Sequence, residues 1–435
     1  MCSMIEIIKQ RIIDFHCDGL PDYIRRNVDV VHIKDMITTI VGGRKTGKTY
    51  LTYQIIDDLI KQKKISSLKQ VCYLHFDDEA LGSMTVNDLS MIDDVFLSLL
   101  NPKSRKKNIA FIFDEIHTIK GWEKFVLRLK KHRNYYVIVT GSSSRLEETN
   151  VTRQLRGKTF TNKLLPLSFK EFIKFNNYKF NFKRLSGSDK ADIVNLFDKY
   201  IKTGSYPAMP LLEPRVRNEL LQNYFKSIVA SDFIFGKNIH QPLPCKIYLR
   251  NLLQKNACPY THKKELNNLK SLGYSLAPKT IAEWFDYATE NYFIGTTTIN
   301  SSSIKRIEQN YRKIYCLDWT LANAISVFSE SKISRALESI VYWQLIRSGY
   351  NVFYELVGPN KYEIDFVVSK PGQDPHLAIQ VCVSFENEDL IEREIRGLKL
   401  IDKKYPQIEK LIITLYPTTK KIGIPVISAW QWLLK

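Results

Sequence analysis

Apolar residues fall along this chain in two spacings. In the first third they come as short unbroken runs: Met36-Ile37-Thr38-Thr39-Ile40-Val41, Val71-Cys72-Tyr73-Leu74-His75-Phe76, Ile109-Ala110-Phe111-Ile112-Phe113 and Tyr135-Tyr136-Val137-Ile138-Val139. Such runs, rich in β-branched and aromatic residues, predict buried strands of a parallel sheet. After the first run, Leu51, Ile55, Ile56 and Leu59 recur at helical spacing, so a helix opens near Lys48. Alternation of the two patterns predicts an α/β fold.

Beyond Pro166 the helical period takes over. Ser168-Phe169-Lys170-Glu171 is a capping box, which starts a helical segment reaching about Lys237 with a turn at Lys202-Thr203-Gly204-Ser205-Tyr206-Pro207. Between about His240 and Leu317, helices are followed by a hairpin. Ile281, Trp284, Phe285 and Ala288 form one apolar stripe, and strands over 292–299 and 312–317 flank Ser301-Ser302-Ser303, an order that predicts a winged helix. From about Ser331 a helix sets Glu338 beside Val341, Tyr342 and Leu345, a carboxylate on an apolar face. Strands over 351–356, 362–368 and 377–383 follow. The chain of 435 residues exceeds what one core usually supports, and these patterns divide it into 1–160, 161–238, 239–320 and 321–435.

The chemistry concentrates where the first run ends. Gly42-Gly43-Arg44-Lys45-Thr46-Gly47-Lys48-Thr49 matches G-x-x-x-x-G-K-[ST] between a predicted strand and a predicted helix, with Tyr50 next in the helix. The glycines let backbone N–H groups approach phosphates, and the helix start adds positive potential. This predicts an ATP site in which Lys48 neutralises β/γ-phosphate charge and Thr49 ligates Mg2+. The run 109–113 delivers Asp114-Glu115 at its C-terminal end, where ligands of open α/β sheets sit. Asp114 is expected to hold the metal and Glu115 to polarise the attacking water. After the run 135–139, Thr140 and Ser142 either sense a γ-phosphate or belong to an ordinary polar turn. Arg153 and Arg156 are either arginine fingers, in cis or across a homo-oligomer interface, or solvated cations.

A net charge of +19 draws polyanions, which makes DNA an expected partner. Lys246, Arg250, Lys255, Lys263, Lys264, Lys270, Lys279, Lys305, Arg306 and Arg312 supply phosphate contacts in the winged-helix region, although Glu283 and Asp286 on its apparent recognition helix oppose them. Seven scattered cysteines without a C-x-x-C pair read as reduced thiols. Apolar runs too short for a bilayer, and a charged start with Glu6, Lys9 and Arg11, predict a cytoplasmic protein with no membrane partner.

Phe76-Asp77-Asp78-Glu79, Phe113-Asp114-Glu115-Ile116-His117, Thr140-Gly141-Ser142-Ser143, and Leu155-Arg156-Gly157 followed by Leu165-Pro166-Leu167-Ser168-Phe169 resemble the archaeal and bacterial AAA-type ATPases. In those proteins a P-loop domain precedes a C-terminal domain related to PD-(D/E)XK nucleases. The resemblance implies an α/β P-loop NTPase sheet of AAA type and a nuclease-like α/β domain, to which the residue patterns add a helical lid and a winged-helix-like module between them. By the nuclease comparison Asp365 is the central metal ligand, with Glu338 and Gln380 beside it and Glu363 on the same strand face. Cys382 stands where the nucleases carry their lysine, so a cutting enzyme would need another cation such as Lys361 or Lys399. The expected function is a Mg2+-dependent ATPase whose hydrolysis drives a conformational change of the attached domains on nucleic acid. A nucleotide-dependent signalling or scaffold switch that docks a protein through the winged-helix module, and an ATP-gated DNA nuclease, are the alternatives left open.

Overall fold

The structure is a computed structural model that describes residues 3–33, 35–141, 155, 157–325, 333–384, 388–418 and 422–435. The chain forms two compact units, Met1–Leu165 and Pro166–Lys435.

In the first unit, strands β1 (Ile37–Val41), β2 (Val71–His75), β3 (Ile109–Asp114), β4 (Tyr135–Gly141) and β5 (Thr159–Lys163) form a parallel sheet in the order β2-β3-β4-β1-β5. Every residue of β1 and β3 is buried, which is why their sequences run apolar without alternation. The exceptions inside β1 are satisfied polar groups: the Thr39 hydroxyl bonds Phe160 O and Thr161 Oγ1 at 3.2 and 2.9 Å. Strand β5 was not foreseen. It lies at the sheet edge with only Asn162 buried, so Thr-Phe-Thr-Asn-Lys carries no apolar run. Helix α1 (Met4–Asp18) precedes the sheet, and helix α2 (Lys48–Lys61) packs Leu51, Ile55, Ile56 and Leu59 against Ile40, Ile112 and Ile138 of the sheet. Because β4 lies between β1 and β3, the C-terminal ends of these three strands are neighbours.

The second unit opens with the helix Phe169–Phe175, capped as its sequence predicts by the reciprocal Ser168 and Glu171 bonds. Helices Gly187–Thr203 and Pro214–Ile228 follow, and the latter continues into a π-helical turn, Val229–Ile234. The turn between those two helices closes on Gly204, at φ +86°, where a Cβ would meet Thr320 Oγ1 at 2.4 Å and both Asp318 carboxylate oxygens at 2.7 Å. Buried Asp318 holds this turn, accepting from Ser205 Oγ (2.9 Å), Tyr206 N (3.1 Å) and Thr320 N (2.8 Å) besides Ser205 N and the Thr320 hydroxyl.

Helix Pro242–Gln254, strand β6 (Cys258–Tyr260), helices His262–Ser271 and Pro278–Glu290, and strands β7 (Ile294–Thr297) and β8 (Arg312–Cys316) come next, with an antiparallel sheet ordered β6-β8-β7. Ile281, Trp284, Phe285 and Ala288 are all buried. The segment between β7 and β8 departs from a simple hairpin. It forms the helix Ile304–Gln309, and its backbone bonds strand β9 (Asn351–Val357), with Asn300 N to Tyr354 O at 2.9 Å and Tyr354 N to Thr298 O at 3.0 Å.

Strands β9, β10 (Tyr362–Ser369), β11 (Leu377–Cys382), β12 (Glu409–Thr414) and β13 (Val426–Ser428) form a sheet ordered β13-β12-β11-β10-β9. It is antiparallel from β9 to β11 and parallel from β11 to β13. Helix Ile333–Arg347 precedes it, and helix Glu388–Leu400 joins β11 to β12, with Ile395 and Leu398 packed on Ile364, Val367 and Ile412. The β9/β10 register shifts between Ile364 and Val367, so one extra residue of β10 is accommodated over Asp365 and Phe366.

The Asp318 node gives a stability prediction. Asp318→Ala strips the acceptor from several buried donors, each costing about 1–3 kcal/mol when orphaned. It should lower the thermal midpoint of the full chain more than any single surface substitution, with Asp318→Asn, which keeps one acceptor oxygen, in between.

Candidate functional site

The loop from Gly42 to Gly47 connects β1 to the start of α2 at Lys48. Gly42 is required by space: a Cβ there would lie 2.2 Å from Leu164 O. Thr46, fully buried, ties the loop across itself through Oγ1 to Gly43 O at 2.9 Å. Lys48 is 6% exposed, and its ammonium curls over the loop to Gly42 O and Gly43 O at 3.3 Å each, with Glu115 Oε1 at 3.6 Å. Arg44 is partly exposed, whereas Lys45 (φ +63°) and Tyr50 are exposed.

Asp114 closes β3 and is fully buried. Its Oδ2 accepts from Thr49 Oγ1 (2.7 Å), Tyr73 OH (3.2 Å) and His75 Nδ1 (3.1 Å), and its Oδ1 from the Thr140 hydroxyl. Burial alone would push this carboxyl up, but the bonds from His75, Thr140 and Thr49 outweigh it and hold the group below the usual carboxylate range. The same contact raises His75 above the ordinary histidine value, against the burial that would lower it. Thr140 is committed on both sides, since its oxygen also accepts from Glu115 N at 3.1 Å. Glu115 takes the left-handed conformation (φ +57°), an uncommon state for a non-glycine residue, and its carboxylate lies between Lys48 and His117 Nδ1, the latter at 3.2 Å. Ser142, Arg153 and Arg156 lie outside the described residues.

The sequence reading missed two residues here. His75 had a visible signal, a polar residue at the C-terminal end of an apolar run. Arg26 had none. It lies before the sheet with no periodic pattern around it, yet it is 6% exposed and its guanidinium bonds Thr46 O at 2.8 Å and Leu165 O at 2.7 Å. Its backbone exchanges bonds with the Gln54 amide of α2 at 2.8 and 3.1 Å. Arg26 thus clamps the loop to the helix and to the chain leaving β5.

Residues 34–173, which contain the loop, Asp114 and Glu115 but not Arg26, match the family model of an AAA domain. Over 426 residues the chain is 31% identical to the protein MJ1544 of Methanocaldococcus jannaschii, covering 94% of this chain and 91% of that one. The chain belongs to this family of AAA-type P-loop ATPases. A protein of Haemophilus influenzae is 27% identical over 403 residues, covering 92% of the ATPase and 95% of its own length. Among solved structures, the Walker-type ATPase PABY2304 of Pyrococcus abyssi is similar at a TM-score of 0.42 and 13% identity, over 73% of this chain and 94% of that one. So loose a likeness assigns no residue a role. Among the described residues of the ATPase no helix is long and apolar enough to cross a membrane.

A second group of acids lies in the unit Pro166–Lys435. Glu338 and Asp365 come together with Glu363, and Gln380 reaches Asp365 through its side-chain oxygen, which accepts from Asp365 N at 3.3 Å. The cation among them is not Lys361 or Lys399, both exposed, but Lys313 of β8, whose Nζ lies 2.5 Å from Glu338, 2.9 Å from Glu363 and 3.2 Å from Asp365. Burial pushes Glu338 up to about 7 and raises Asp365, in both cases against the pull of Lys313. As placed, no group of three or more His, Cys, Asp or Glu side chains among the described residues is spaced to hold a metal ion.

The clamp gives a prediction for the loop. Arg26→Met keeps the packed stem and removes the bonds to Thr46 O and Leu165 O. Amides of Gly43–Lys48 should exchange faster with solvent while those of β3 stay protected. ATP affinity, measured by calorimetry, should fall by about tenfold, because the released loop must then be ordered on binding at a cost of about 1.4 kcal/mol.

Proposed function

We propose that this AAA-type protein hydrolyses ATP with magnesium at the C-terminal edge of its parallel sheet, and that turnover changes the conformation of the attached unit Pro166–Lys435. The observation that carries this reading is the 2.7 Å bond from the Thr49 hydroxyl to the Asp114 carboxylate, which joins the first residues of α2 to the end of β3. Two adjacent hard oxygens of this kind fit magnesium, which keeps several waters and takes few protein ligands. When bound there, the ion supplies charge neutralisation on the β- and γ-phosphates. Loop amides and the start of α2 receive phosphate oxygens, and the buried Lys48 ammonium, now shared among loop carbonyls and Glu115, turns to them. That leaves the Glu115 carboxylate, steered by His117 and by its left-handed backbone, to orient a water. Thr140 bonds both Asp114 and the Glu115 amide, and so supports a role in relaying what happens at one acid to the other.

The order of helices and strands from Pro242 to Cys316, with β8 between β6 and β7, supports the winged-helix reading of 239–320. Its partner is less one-sided. Lys246, Arg250, Lys263, Lys264, Lys270 and Lys305 are exposed and free to meet phosphates in the nucleic-acid reading. Four others are engaged: Lys255 with buried Glu265, Lys279 with Glu283, Arg306 with Glu355 and Arg312 with Glu308. Two observations favour the protein-docking alternative. Asp286 and Glu290 are exposed on the helix Pro278–Glu290, and the segment after β7 is bonded to β9 and so is held away from a groove.

Steady-state hydrolysis with magnesium tests the central reading. Lys48→Ala and Glu115→Gln should each reduce turnover by about 100-fold or more, with ATP binding kept in Glu115→Gln and lost in Lys48→Ala. Turnover that rises with duplex DNA, through an affinity falling steeply with salt, supports the nucleic-acid reading; turnover indifferent to DNA supports the docking switch. Wild-type turnover unaltered in Glu115→Gln would remove the assignment of the water-orienting acid.

A further inference from the structure

Three carboxylates from two elements converge on one ammonium. Glu338 comes from the helix Ile333–Arg347, Glu363 and Asp365 come from β10 beside its bulge, and Lys313 reaches them from a different sheet at 2.5, 2.9 and 3.2 Å. The remaining acceptor capacity is also met from inside the chain. Tyr315 OH donates to Glu338 at 2.9 Å, Tyr311 OH donates to Glu363, and Val381 N donates to Asp365 Oδ2 at 3.0 Å. Lys313 is 3% exposed and Asp365 6%. Burial would lower the Lys313 ammonium, but Tyr315 and the carboxylates of Glu338, Asp365 and Glu363 keep it charged well above the ordinary lysine value.

The geometry around Nζ is that of a cation seat. A hard divalent ion bound by carboxylates takes oxygens at about 2.0–2.6 Å, and the three acids here need to close by less than about 1 Å to reach it. An ammonium already stands at that point, and a divalent ion cannot join it at such range. The acids in turn cannot stay buried and ionised without a cation, because an uncompensated buried charge is strongly destabilising. Access argues the same way at Glu338 and Asp365, whose side chains are only 12% and 9% exposed, although Glu363 at the rim is one third exposed.

We propose that Lys313 is an internal replacement for a divalent cation, which makes this cluster a permanent joint between the β6-β8-β7 sheet and the β13-β12-β11-β10-β9 sheet rather than a hydrolytic centre. The chain then binds no metal at Asp365 and cuts no nucleic acid there, and removing the lysine uncovers a carboxylate cation site. The inference stands apart from the ATPase reading, because it concerns only side chains of the second unit.

The test is Mn2+ binding by the full-length chain without nucleotide, counted from the free-ion signal in electron paramagnetic resonance. Wild type, Asp365→Asn, Lys313→Ala, and Lys313→Ala combined with Asp365→Asn are compared, each with a thermal midpoint with and without Mn2+. The expected result is one more bound Mn2+ in Lys313→Ala than in wild type, a midpoint lowered by the substitution and restored by Mn2+, and loss of both gains in the double variant. Should Lys313→Ala unfold in the absence of metal, refolding by Mn2+ carries the same meaning. Three results would overturn the proposal: Lys313→Ala with the wild-type Mn2+ count and no stabilisation by the ion, a wild-type chain that binds an Mn2+ lost in Asp365→Asn, or Mn2+-dependent DNA cleavage by wild type that Asp365→Asn abolishes.

Discussion

A carboxylate buried at the end of a central strand stays ionised only if the chain brings donors to it, and Asp114 sets that requirement for the whole first unit. The donors come from three directions: Thr49 from the helix after the loop, Tyr73 and His75 from β2, and Thr140 from β4. No other neighbours would serve as well, because β3 lies between β2 and β4, with β1 one strand further on. The strand order is therefore also the wiring of the site. Glu115, one residue on, inherits its position from the same node, its amide held by Thr140 and its side chain turned toward Lys48.

The second unit meets the same constraint repeatedly and answers it from within. Asp318 consumes the donors of one turn, Glu265 takes Lys255, Glu355 takes Arg306 and Lys404, and the three acids around Lys313 share one ammonium and two tyrosines. In the first unit, Lys48 is held weakly, by carbonyl oxygens at 3.3 Å and a carboxylate at 3.6 Å, and so can exchange its partners for phosphate. In the second, the ammonium of Lys313 has three carboxylates at closer range and no comparable reason to leave. One basic group is poised for a ligand and the other replaces one.

Much of the sheet was legible because β1 to β4 are buried on both faces and leave unbroken apolar runs, and the P-loop was legible because phosphate binding needs particular residues at fixed spacing. Strand β5 was not, since an edge strand with one covered position needs no apolar pattern. The helix Ile304–Gln309 is hidden in the sequence because Ser301-Ser302-Ser303 looks like a turn, although Ser303 serves as its N-cap. Arg26 and Lys313 were invisible for a common reason. Each acts on partners tens of residues away, and neither sits in a local pattern that distinguishes it from a solvated cation. The acids Glu338 and Asp365 could be picked out as charges on apolar elements, whereas the identity of their cation is a property of the packed chain.

In the proposed function, Asp114 is the point where metal-dependent nucleotide binding and the fold of the sheet meet. Calorimetric titration of ATP with and without magnesium, in wild type and in Asp114→Asn, tests this most directly, because Asn preserves shape and some of the hydrogen bonding but not the charge. The account predicts that magnesium tightens ATP binding in wild type and has little effect in a folded Asp114→Asn chain. An equal magnesium dependence in both would contradict it.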